Sequence, residues 1–96
     1  MAEVPHEEII DIINGTEIYV LRCPSCNKIL AIIYRAGSAT MPDKLSNCDH
    51  FEWKRIGNGC YDDPDQEYCK GARELIERAV KVYFENTNVY LLIPRT

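Results

Sequence analysis

No stretch of this chain approaches the roughly 18 consecutive apolar residues of a membrane span, so a membrane-spanning helix is excluded. No Lys or Arg occurs among residues 1–17, which instead carry Glu3, Glu7, Glu8, Asp11 and Glu17. A basic n-region is therefore missing, no export signal is expected, and the chain is expected in the cytoplasm. Catalytic constellations are also missing. There is no Ser/His/Asp arrangement, no phosphate-cradling glycine loop and no His-Glu-x-x-His. Glutamine occurs once, at Gln66, against eleven isoleucines. That bias is seen in hyperthermophile proteins, which avoid thermolabile amides. Repeats, low-complexity segments and linkers are absent too, so residues 1–96 read as one domain with a modest core.

What is present is an ordinary globular mixture, 46% hydrophobic and 27% charged. The net charge of −4 is unevenly spread. An acidic start is followed by a basic middle, an acidic cluster at Asp62, Asp63, Asp65 and Glu67, and a mildly basic end. An acidic whole is poorly suited to non-specific duplex DNA, which demands phosphate neutralisation. Five cysteines in 96 residues is a high and odd number. In a reducing compartment, clustered cysteines more often hold metal than form disulfides.

Asn14-Gly15, between apolar runs at 9–13 and 18–21, predicts a hairpin, because both turn positions need positive φ. The alternative is a short helix entered at Pro5 and capped by Gly15. Residues 17–22, 29–35 and 51–56 read as strands, with a long turn-rich connection over 36–47. Asp63, Pro64 and Gln66 resemble a capped helix start. Tyr68, Ala72, Leu75, Ile76, Ala79, Val80 and Tyr83 share one face at a 3.6-residue period, predicting a helix over 64–85. Residues 88–93 predict a last strand, stopped by Pro94.

Cys23-x-x-Cys26 lies between two of these strands. Two intervening residues let both sulfurs face one point while backbone N–H groups donate to the thiolates. Asn27 tolerates the left-handed conformation needed to leave the turn, and Lys28 places a cation beside the sulfurs. Residues 19–50 thereby resemble the zinc knuckle of zinc-ribbon proteins. The resemblance implies zinc, four ligands and a structural role. Cys48 and His50 are the nearest remaining pair. The strand at 29–35 carries the chain roughly 20 Å from the knuckle, and residues 36–47 are long enough to return. In a straight strand Cys48 and His50 share a face, so either the strand end crosses the knuckle or residues 48–50 turn. Cys60 or Cys69 can replace His50. They can equally be small buried hydrophobes or a disulfide worth about 2–3 kcal/mol. Iron is the alternative metal, since tetrahedral thiolates accept both.

RING domains also begin Cys-x2-Cys, then Cys-x-His, but Phe51, Glu52, Trp53 and Lys54 stand where the next cysteine belongs. Residues 18–26 look like a glutaredoxin strand entering its C-P-x-C site, and Thr40-Met41-Pro42 is similar to its Thr-Val-Pro turn. Too few residues separate those two motifs for the intervening glutaredoxin elements, which leaves thiol-redox chemistry a minor reading.

The expected fold is α+β: a small, mostly antiparallel sheet with a zinc-ribbon-like knuckle and one long C-terminal helix packed on one face. The expected function is a non-catalytic zinc-binding module, a protein-interaction or regulatory accessory protein. The alternative is a nucleic-acid-binding ribbon using Arg22, Lys28, Arg35, Lys54 and Arg55 with Tyr34 and Trp53. The run Val89, Tyr90, Leu91, Leu92, Ile93 is apolar throughout, the mark of a strand buried on both faces. One helix covers one face, so a protein partner or a second copy is expected on the other.

Overall fold

The structure, a computed structural model, describes residues 3–95. Four strands, β1 (His6–Ile13), β2 (Thr16–Arg22), β3 (Ile29–Ala36) and β4 (Ala39–Asp43), form an antiparallel sheet in sequence order. Asn14 (φ 50°) and Gly15 (φ 79°) make the two-residue turn joining β1 to β2, with Ile13 opposite Thr16. Gly37 (φ 58°) opens the equally short turn between β3 and β4, where Ala36 faces Ala39. Strand β4 lies inside the segment 36–47 that Gly37 and Pro42 mark as a turn-rich connection. A proline is tolerated here because β4 lies at the sheet edge, where a missing N–H costs no ladder bond.

The second sheet has order β5-β7-β6, with β5 (Phe51–Gly57), β6 (Lys81–Glu85) and β7 (Asn88–Pro94), again antiparallel. Between β5 and β6 lie two short helices, α1 (Asn58–Asp62) and α2 (Ala72–Arg78), and a 3-10 turn at Glu67–Cys69. The expected long helix over 64–85 is therefore overturned, and the α+β architecture with it: the molecule is two antiparallel sheets with short helices. Three local features account for this. Gly71 takes a left-handed φ of 88° and separates the 3-10 turn from α2. Lys81–Glu85 (KVYFE) is β-branched and aromatic at its centre and prefers a pleated surface. Asn86 (φ 53°) then turns the chain so that Glu85 faces Asn88 in a hairpin. The expected capping box does not form: Gln66 Nε2 donates to the Asp63 side chain at Oδ2, 2.6 Å away, neither side chain caps the backbone, and only the short 3-10 turn follows.

The layers bury two cores. Leu21, Leu30, Ala31 and Ile33 of the first sheet meet Phe51, Tyr83 and Leu92 of the second, and all are nearly inaccessible. On the far side of the second sheet, Val89, Leu91 and Ile93 pack against Leu75, Ile76 and Ala79. The 3.6-residue period thus describes a true helical face, but only as far as Ala79. Strand β7 is buried on both sides, as its unbroken apolar run predicts. Its second face is covered by the first sheet of the same chain, so this strand needs no outside partner.

Glu7 on β1 and Tyr83 on β6 tie the sheets together. The Tyr83 hydroxyl donates to Glu7 Oε2 at 2.6 Å, and Arg35 Nη2 donates to both Glu7 oxygens at 3.2–3.3 Å. Arg35 also lies 4.8 Å over the Tyr19 ring. Burial first, and the Glu7 carboxylate second, push the Tyr83 phenol up, so it stays protonated and donates. Among the described residues no helix is long and apolar enough to cross a membrane.

Candidate metal centre

The turn between β2 and β3 is closed by its own backbone. Cys23 N donates to Lys28 O at 2.9 Å and Asn27 N to Cys23 O at 2.8 Å. Asn27 takes φ 64°, the left-handed exit that Asn adopts at low cost. The two cysteines of the turn consequently sit on a rigid loop, Cys23 buried and Cys26 exposed.

The second pair lies just before β5. Of the two geometries open to Cys48 and His50, the chain takes the turn. Cys48 N donates to Phe51 O at 3.0 Å, and His50 N donates back to Cys48 Sγ at 3.3 Å. Arg95 N donates to His50 O at 2.8 Å, pinning the histidine to the end of β7. Asn47 Oδ1 accepts from Trp53 N at 2.8 Å. The two loops are joined directly as well, because Lys28 Nζ donates to Asn47 O at 2.6 Å. Lys28 thus acts through a backbone carbonyl that positions the loop bearing Cys48 and His50. That contact has no signature in the sequence, since it spans 19 positions between two loops.

The outcome is a cluster of three sulfurs and one imidazole. Ligand atoms of Cys23, Cys26, Cys48 and His50 all lie within 4.8 Å of one another. Cys23 Sγ is 3.6 Å from His50 Nδ1, so Nδ1 is the ring nitrogen that faces the cluster. Zinc bonds of about 2.3 Å to sulfur and 2.0–2.1 Å to nitrogen place tetrahedral ligands about 3.3–3.8 Å apart. The donor set and spacing fit such an ion after a small contraction. The thiols are electrostatically unequal. Burial works against ionising Cys23, but the N–H groups of Cys26 and Ser25 outweigh it and its pKa is lowered. At Cys26 the Lys28 N–H favours the thiolate, yet desolvation and the neighbouring Cys23 and Cys48 sulfurs push its pKa up. Crowded sulfurs that repel one another as anions are what a divalent cation relieves.

Cys60 and Cys69 do not join this cluster. They form a disulfide with Cα atoms 5.2 Å apart, fastening α1 to the 3-10 turn. The cations considered for nucleic-acid contact are largely occupied. Arg35 is held by Glu7, and Lys54 pairs with Glu52 at 3.3 Å. Arg22 donates to Asn27 O at 3.1 Å and Lys28 to Asn47 O, while Arg55 is exposed on β5. Trp53 donates its indole N–H to Leu30 O at 2.8 Å and packs 5.9 Å from Tyr83, so its ring is fixed between the sheets. Tyr34 lies on the first sheet, opposite Ile18 and Met41. No protein-family model, curated protein or solved structure matches the chain.

Proposed function

We propose that this chain is a non-catalytic zinc-binding module, in which Cys23, Cys26, Cys48 and His50 hold one structural Zn2+. The observation that carries the reading is the convergence of four donor atoms within 4.8 Å on two loops already tied by Lys28. Bound zinc supplies a four-fold cross-link between those loops, with no open position for a substrate or water. The chain's own residues do the rest. Backbone N–H groups of the knuckle stabilise the Cys23 thiolate, and the His50 amide stabilises Cys48. The residues between the ligand pairs, β3 and β4 included, then form a closed unit within one 96-residue domain. Such a module serves as a protein-interaction or regulatory accessory protein. Its working place is the cytoplasm, in a source whose intracellular proteins also carry disulfides, as those of hyperthermophiles do.

Elemental analysis of protein purified without added metal tests this. About one equivalent of zinc per chain is expected. Iron in its place would make the site rubredoxin-like, and less than about 0.2 equivalents of any transition metal would sink the reading. Cys26→Ser is expected to lose the metal and to lower the melting temperature by more than 10 °C, roughly what losing several kcal/mol of metal-linked stability does to a domain this size. An unchanged metal content in Cys26→Ser would remove Cys26 from the ligand set.

A further inference from the structure

The two sheets end in four edge strands, β1 and β4 in the first and β5 and β6 in the second. An unpaired edge offers free N–H and C=O groups to any other strand, and proteins blunt it with proline, lysine or a covering element. Strand β4 carries Pro42 and lies against β6, so these two edges shield each other. Strand β5 carries Lys54 and Arg55. Strand β1 has no proline, lysine or arginine, and its Ile9, Ile10, Ile12 and Ile13 stand 45–61% exposed.

The direction of its backbone groups follows from the register. Ile13 opposite Thr16 closes the two-residue turn, and residues of an antiparallel ladder alternate between bonding the partner strand and turning away from it. Asp11 opposite Ile18 and Glu8 opposite Val20 therefore bond β2, while Ile12 and Ile9 turn their amides and carbonyls to the open side. One of these outward amides is already taken, because Ile12 N donates to Asp11 Oδ1 at 2.8 Å. A further strand would lie about 4.8 Å away and would need that donor. The carboxylate holds it and puts a charge where the strand would sit. Asp11 is the single charged side chain among residues 9–13. Glu7 turns in to Arg35 and Tyr83, and Glu17 on β2 accepts from the Tyr19 hydroxyl at 3.1 Å. Glu8, His6 and Arg22 lie toward the other end of the ladder, where Arg22 donates to Asn27 O.

The strand matches itself. Set antiparallel to β1 of a second copy, with Ile9 facing Ile12, it joins two pairs of outward-turned residues. It also makes two isoleucine pairs, on the row shared with Tyr19 and Glu17. That contact is two-fold symmetric and closes at two copies. Both Asp11 carboxylates then sit beside the symmetry axis.

We propose that β1 is a self-pairing edge and that Asp11 holds it closed. The carboxylate caps the Ile12 amide and sets like charges against each other, so the chain stays single while its isoleucines remain exposed. Once Asp11 is removed, the occupant of the edge is β1 of a second copy. Nothing in this rests on the metal reading.

Sedimentation velocity on the full chain tests it. At micromolar concentration the unaltered chain is expected to stay at 11.1 kDa, and Asp11→Ala is expected to dimerise more tightly by about tenfold or more. Ile12→Pro deletes the outward amide without taking a bond from the ladder with β2, so it should return Asp11→Ala to a monomer. Where circular dichroism shows that this double variant does not fold, Ile9→Lys in the Asp11→Ala background takes its place and breaks the isoleucine pairs. Hydrogen exchange should show β1 of Asp11→Ala gaining protection as concentration rises. A monomeric Asp11→Ala, an unaltered chain that dimerises as tightly as Asp11→Ala, or open-ended oligomers overturns the proposal. So does a dimer that survives in the folded double variant or leaves β1 unprotected.

Discussion

Glu7 links the two sheets through a single carboxylate. It lies in an acidic stretch that reads as solvated, yet its carboxylate accepts from both Arg35 and Tyr83. Glu7→Gln removes the charge, keeps the shape, and leaves Arg35 partly buried without a counter-ion. The expected cost is about 1–3 kcal/mol, seen as a lower urea midpoint with an unchanged slope. Tyr83→Phe should cost less, about 1 kcal/mol, because only one hydrogen bond goes. A Glu7→Gln loss below 0.5 kcal/mol would show that the pair contributes nothing net to the fold. Residues whose chemistry acts over a short chain distance were legible beforehand. Asn14-Gly15 and the Cys23 to Asn27 turn needed only local φ and spacing. Glu7 was not legible, because its partners lie 28 and 76 positions away and nothing local distinguishes it from Glu8.

At the scale of elements, residues 64–85 teach most. The 3.6-residue period was present and α2 obeys it, but a helix of seven residues is marginal alone and depends on docking against β7. Past Ala79 the same apolar spacing also fits a strand. The Asn86 turn and the need to cover β7 decided for β6, and a periodicity count contains neither. The segment between α1 and α2 is held by Cys60 and Cys69, nine positions apart. Reducing that bond, or replacing Cys60 by Ser, is expected to cost about 2–3 kcal/mol through the freed loop while leaving metal content unchanged. Loss of metal in Cys60→Ser would mean that this helical segment and the knuckle are not independent. The strands are more legible than the helix, since 17–22, 29–35, 51–56 and 88–93 are each rich in β-branched or aromatic residues. Edge strand β4 escaped because its proline carries a local penalty that only its edge position removes.

For the molecule as a whole, the two-faced burial of β7 could be inferred from the chain, and so could the meeting of Cys23, Cys26 and Cys48, with His50 as one of three candidates for the fourth place. The division into two stacked sheets could not, because it depends on long-range pairing such as Phe51 opposite Pro94. One consequence of the cysteine arrangement concerns how the molecule matures. Cys23, Cys26 and Cys48 are free while Cys60 and Cys69 are bonded, so five chemically alike thiols must be sorted into two fates. An unfolded chain under oxidising conditions offers several pairings, of which one is native. The adjacent knuckle thiols are the easiest to join and the most damaging. Metal capture first would withdraw three thiols from exchange and leave only the correct couple to close. Refolding in a glutathione buffer with zinc should therefore give one species by reversed-phase chromatography after acid quenching, and refolding with a chelator a mixture poor in the Cys60–Cys69 bond. Equal yields in both would mean that folding alone sorts the thiols. If the two differ, metal supply during synthesis governs how much native protein accumulates, and the ion acts as a protecting group before it acts as a staple.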